Sequence, residues 1–145
     1  MVPIKTVQQF LHAKSGPVLS VRPDTTVYDA LVLMARHDIG ALLVLDGDRL
    51  SGMFSERDYA RKVILHGRSS RTMPVEDVMT REVVAVPPCL TVDECMALMT
   101  DHRVRHLPVV EDGEIIGLVS IGDLVKAQID EQRFVIEQLE HYIAH

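Results

Sequence analysis

The sequence predicts a mixed α/β (α+β) fold made of two copies of one β-α-β-β-α unit. The leading observation is internal repetition: an offset of 65 residues lays Val18–Ile64 over Val83–Ile129 without a gap, and 14 of the 47 paired positions are identical. A second is that hydrophobic periodicity changes from strand-like runs to i, i+3, i+4 spacing at matching places in both copies. A third is size. A unit of about 48 residues cannot bury its own sheet, so two copies packed sheet to sheet are expected.

The elements follow in order. Residues 1–16 form an N-terminal helical segment, with Ile4, Val7 and Leu11 on one face. Copy one spans 17–66 and copy two 82–130, separated by the polar, Ser- and Pro-containing connector 67–81. Each copy opens on a short apolar stretch next to proline, VLSV at 18–21 and VVAV at 83–86, which predicts a strand. Thr26-Val27-Tyr28-Asp29 and Thr91-Val92-Asp93-Glu94 are capping boxes that start a helix. Its buried face is Ala30, Leu33 and Met34 in one copy and Cys95, Leu98 and Met99 in the other. A hairpin follows, ALLVL-DGDR-LSGMF or HLPVV-EDGE-IIGLV, and then a second helix. Residues 131–145 read as an amphipathic C-terminal helix, because Ile129, Ile136 and Ile143 recur every seven residues beside Leu139 and Tyr142. Either terminal segment can pack on its own domain or form a subunit contact.

Composition narrows the function. The 145 residues are 47% hydrophobic and 25% charged, which is ordinary for a globular chain. Fifteen Lys+Arg against 21 Asp+Glu give −6, and with three Phe, three Tyr and no Trp the chain lacks the basic, aromatic surface of a nucleic-acid binder. The start, MVPIKTVQQF, lacks the features of a signal peptide, and the apolar run Ile39–Leu45 is too short to span a bilayer. Cys89 and Cys95 match no zinc spacing. The expectation is a soluble cytoplasmic protein without nucleic-acid or membrane partners.

The pattern G-h-h-S-x-x-D (h, hydrophobic) occurs twice, as Gly52-Met-Phe-Ser55-Glu-Arg-Asp58 and Gly117-Leu-Val-Ser120-Ile-Gly-Asp123. Each Ser-x-x-Asp reads as a helix cap. Both also directly follow a strand, which points hydroxyl and first-turn N–H groups beyond the strand end, where an anion can sit. A carboxylate one turn in can accept hydrogen bonds from a ribose diol. Serine for phosphate and aspartate for ribose make a coherent nucleotide pair.

The duplicated unit, the strand His106-Leu107-Pro108-Val109-Val110, the two G-h-h-S-x-x-D patterns and Asp77-Val78-Met79-Thr80 together resemble tandem cystathionine-β-synthase (CBS) domains over residues 14–130. The resemblance implies a pseudo-two-fold pair that dimerises into a disc-like homodimer. It implies a regulatory ligand containing adenosine: AMP, ADP or ATP first, with NAD(H) or S-adenosylmethionine as further possibilities, and no catalytic cofactor. It also implies two clefts, each drawing on both copies. One would use Lys14, Leu19, Gly40, Ala41, Leu118, Ser120 and Asp123. The other would use Thr80, Val84, Arg105, His106, Met53, Ser55, Arg57 and Asp58. Basic residues favour the Asp58 cleft for the phosphorylated nucleotide: Arg57, Arg61, Lys62, Arg68 and Arg71 crowd residues 56–71, although they can also be a solvated helix face. The Asp123 cleft has Gly122 where the other has Arg57, and can admit a nucleoside or dinucleotide.

Other candidates carry less chemistry. His37 and His102 end a helix in each copy and suit its C-terminal dipole. His141 and His145 are four apart but lack further ligands, so no metal site is expected. Cys95 lies on an apolar helix face. No phosphate loop, nucleophile elbow or HExxH occurs. The resulting expectation is a non-enzymatic adenine-nucleotide sensor that signals by population shift to a protein in trans. The alternatives are a ligand-independent assembly or dimerisation module, and a catalyst that holds a nucleotide in the basic cleft.

Overall fold

The computed structural model describes residues 4–14 and 18–144 and divides the chain into two compact units, Leu19–Val83 and Met1–Val18 with Val84–His145. Both are mixed α+β.

In the unit Leu19–Val83, β1 (Ser20–Val21) pairs parallel with β2 (Ala41–Asp46), and β2 pairs antiparallel with β3 (Arg49–Ser55). Between them lies α2 (Val27–His37), started by the Thr26 hydroxyl, which accepts from the Asp29 N–H, and ended by Asp38 in the left-handed region at φ 52°. β3 runs straight into α3 (Glu56–Asp58), which widens into a π-helical turn, Tyr59–Ile64. The expected second helix of this copy is therefore three α-helical residues and a π segment, a geometry often found at functional sites. The core joins Val27, Ala30 and Met34 of α2 to Leu42, Val44 and Phe54 of the sheet.

The other unit repeats this plan. α4 (Val92–His102) is opened by the capping box of Thr91 and Glu94 and closed by Arg103 at φ 55°. β4 (His106–Glu111) and β5 (Glu114–Ser120) turn through Asp112 and Gly113, both at positive φ, the type I′ combination. The registers are equivalent: Ala41 faces Ser55 as His106 faces Ser120, and both ladders shift one residue after Val44 and Val109. Duplication extends to the bulge.

Four expectations need correction. First, the stretch 83–86 is no strand. Val86 alone bridges Val109, because Pro108 occupies the position of Leu43 and has no N–H to carry the parallel ladder back toward Val84. Second, the connector 67–81 is not merely polar linker: Val75, Val78 and Met79 are buried in the core of the first repeat's unit. Third, the N-terminal helix α1 (Val7–Ala13) packs with the second repeat, where Val7 is fully buried and Ile4, Phe10 and Leu11 lie against the core. Each repeat's core is thus completed by the segment that precedes the other. Fourth, no break occurs at 130/131, since α5 runs unbroken from Ile121 to Ala144. Among the described residues no helix is long and apolar enough to cross a membrane.

Candidate ligand-binding site

The two Ser-x-x-Asp turns sit at equivalent strand ends, and each is described within its own unit. At the end of β3, the Ser55 hydroxyl accepts from the Asp58 N–H at 3.2 Å. The carboxylate of Asp58 answers: Oδ2 accepts from the Ser55 N–H and the Ser55 hydroxyl, each at 3.0 Å. This is a capping box with aspartate in the third position. On the other oxygen, Oδ1 accepts from the Thr80 hydroxyl at 3.1 Å and pairs with the Lys62 ammonium at 3.0 Å. Lys62 also donates to the Val78 carbonyl at 3.0 Å. Thr80 is placed by two backbone bonds to Met53, which stitch the returning segment to β3. Asp58 is 9% exposed, yet none of its charge is left uncompensated.

The turn at the end of β5 is looser. The Ser120 N–H donates to Asp123 Oδ2 at 3.0 Å and the Asp123 N–H donates to Ser120 Oγ at 3.1 Å. Lys14 follows α1, stands 5.7 Å from the Phe10 ring centroid, donates to the Leu118 carbonyl at 3.1 Å and reaches Asp123 Oδ2 only at 3.5 Å. Asp123 Oδ1 accepts from no described residue, and the side chain keeps 30% of its exposure. His106 faces Ser120 across the ladder. Burial holds its imidazole below the ordinary value near 6.5; Lys14 and Arg105 act in the same direction and Asp123 opposes them. Neutral His106 can donate from one ring nitrogen and accept on the other.

Within units, the structure brings together Ser55, Asp58, Thr80 and Met53 in one place, and Lys14, Leu118, Ser120, Asp123 and His106 in the other. Arg57 is exposed and makes no ion pair with Asp58. Gly40 supplies a carbonyl to the Glu56 N–H, as Arg105 does to the Ile121 N–H. Ala41 is buried and Leu19 half-buried in the unit of Asp58, whereas Val84, Arg105 and His106 belong to the unit of Asp123. Sequence reasoning counted Lys62 among the basic residues of 56–71 but passed over its pairing with Asp58. Its signal was present, since aspartate and lysine four apart on a helix are neighbours. Among the described residues no group of three or more His, Cys, Asp or Glu could hold a metal; His145, which the sequence spaces four from His141, lies outside them.

The CBS domain profile matches residues 11–65 and 75–130, one match for each turn. The chain belongs to the CBS domain family. Its two CBS repeats match CBS-pair structures, and proteins made of such a pair are generally regulatory rather than catalytic. A CBS-domain protein from Burkholderia ambifaria has the same fold at a TM-score of 0.85 and 55% identity, covering 88% of this chain and 96% of that one. The mitochondrial CBS domain-containing protein CBSX3 of Arabidopsis thaliana is 46% identical over 88% of this chain, which spans 65% of that relative. The CBS domain-containing protein YhcV of Bacillus subtilis is 35% identical over 79% of this chain and 81% of its own length. The CBS pair of protein MJ0100, solved with 5′-methylthioadenosine and S-adenosyl-L-methionine, shares the fold at a TM-score of 0.77 and 24% identity.

Proposed function

We propose that this CBS pair binds an adenine nucleotide, AMP, ADP or ATP, and regulates a partner protein in trans without catalysing a reaction. The observation that carries the reading is the pair of strand-end carboxylates, Asp58 and Asp123. Each is braced by its own serine turn, and each is met by a donor from the segment preceding a repeat, Thr80 or Lys14. A carboxylate so braced suits a ribose diol, and Ser55 or Ser120 beside it suits phosphate. Adenosine ligands in the MJ0100 pair support the same class here, with NAD(H) and S-adenosylmethionine as further members. The proposed contacts are Met53, Ser55, Arg57, Asp58, Thr80, Val84, Arg105 and His106 for a phosphorylated nucleotide. Lys14, Leu19, Gly40, Ala41, Leu118, Ser120 and Asp123 are proposed for a nucleoside or dinucleotide.

Binding acts by population shift, and a coupling of about 1–3 kcal/mol is the usual scale. The regulated state is a cytoplasmic homodimer with α5 at its contact. Calorimetric titration of nucleotide-stripped protein with AMP, ADP, ATP, NADH and S-adenosylmethionine tests the reading. Saturable binding that is lost in Asp58→Ala or Asp123→Ala is the expected result.

A second reading has its own observation. Both oxygens of Asp58 are already engaged within its unit, which suits a purely structural role. If a folded sample binds no adenosine compound, and Asp58→Ala alters stability alone, the chain is an assembly module.

A further inference from the structure

We infer that Lys62 makes the Asp58 turn select a phosphorylated nucleoside over the unphosphorylated one, an inference that rests on the adenosine-ligand reading above. The argument starts from acceptor capacity. A carboxylate offers about four lone-pair positions. Asp58 uses them on the Ser55 N–H, the Ser55 hydroxyl, the Thr80 hydroxyl and the Lys62 ammonium. A ribose diol therefore enters only by displacing donors. Oδ2 stays tied to the serine turn by the Ser55 N–H even when the Ser55 hydroxyl rotates toward a phosphate. The donors on Oδ1 can leave: a hydroxyl rotates, and Lys62 is a flexible four-carbon stem whose side chain is 43% exposed.

Displacement strands an ammonium. Lys62 loses an ion pair of 3.0 Å and keeps only the neutral Val78 carbonyl. A ligand that carries its own anion beside the ribose restores the lost partner, whereas a bare nucleoside leaves the half-exposed cation only water and the Val78 carbonyl. Because Lys62 lies one turn after Asp58, the freed ammonium stays within reach of that anion.

The other repeat lacks this device. The position equivalent to Lys62 is Ala127, which is buried in the core of its unit. Asp123 Oδ1 is open among the described residues, and Lys14 stands off at 3.5 Å from Oδ2. A diol can dock there with no cation to displace, so the Asp123 turn has no requirement for phosphate.

The test compares AMP with adenosine by calorimetry in the natural protein and in Lys62→Met, each also in an Asp123→Ala background that removes the other carboxylate. The natural protein is expected to favour AMP by about tenfold or more. In Lys62→Met adenosine binding tightens, AMP binding weakens, and the ratio falls to within about threefold, while Lys62→Arg keeps the preference. An AMP-to-adenosine ratio that is unchanged in Lys62→Met overturns the inference and leaves the nucleotide reading intact. No binding of either compound to the natural protein overturns the nucleotide reading itself, and the inference with it.

Discussion

Gly52 lies against the backbone carbonyl of Thr80: a Cβ on residue 52 would stand 2.6 Å from that oxygen and 2.8 Å from the Met79 sulfur. Only glycine lets the returning segment close on β3, where Met53 and Thr80 exchange backbone bonds of 2.9 and 2.8 Å. Thr80 in turn holds Asp58. Gly117 is the same position in the second repeat, and there the close neighbour is the side chain of Leu11. The glycine of each G-h-h-S-x-x-D pattern therefore serves packing of the segment that precedes the other repeat.

Gly52→Ala is expected to cost about 1–3 kcal/mol in urea unfolding, because its obstacle is backbone. Gly117→Ala should cost less, since Leu11 can change rotamer. Equal, negligible losses in both would show that the returning segment does not bear on β3.

His106 predicts an acid-sensitive stability. Its folded-state value lies below the ordinary one near 6.5, with burial as the main cause. Between those two values the unfolded chain binds more protons than the folded one, so stability rises with pH across that window. The contribution is complete above about 6.5 and is lost as pH falls toward the lowered value. Thermal unfolding followed from pH 7.5 down to 5 should show this slope, and His106→Gln should flatten it. An identical slope in the variant would assign the acid sensitivity to other groups.

The two cysteines should react differently. Cys95 is fully buried in α4, and burial, aided by Glu94, pushes its thiol up to about 11, whereas Cys89 is exposed. Iodoacetamide at pH 8 is expected to label Cys89 in the folded protein and Cys95 only after denaturation. Mass mapping that finds Cys95 labelled at native conditions would show that this core opens.

α5 presents an apolar stripe to solvent, with Ile136 54%, Leu139 56% and Ile143 82% exposed. A second copy covering it predicts a dimer by light scattering, converted to monomer by Leu139→Glu with Ile143→Glu while the circular dichroism stays unchanged. A natural protein that is already monomeric at micromolar concentration would remove α5 from any contact between copies.

Much of the fold was legible because its signals are local. Thr26 and Thr91 mark helix starts through bonds spanning three residues, and the hairpin registers follow from turns of two residues. Lys62 was legible in the same way, through a spacing of four. What misled was also local: the Ser- and Pro-containing stretch before Thr80 has the composition of a linker, yet contributes Val75, Val78 and Met79 to a core. Likewise VVAV at 83–86 has strand composition, but strand pairing depends on the partner, and the partner carries Pro108.

The amino-acid sequence by itself determined the duplication, which self-comparison at an offset of 65 residues displays, and the order of elements in each copy and the two serine–aspartate turns, which depend on spacings of a few residues. Tertiary structure alone decided that α1 completes the core of the second repeat and that the segment 75–80 completes that of the first; Lys14 and Asp123, which only the family resemblance put in one cleft, come to 3.5 Å across 109 residues of sequence. Such contacts arise from complementary shape and burial between distant segments, for which hydrophobic period carries no address. The two glycines, 52 and 117, were the one trace of that pairing in the linear text: a glycine inside a strand marks the place where something must come close.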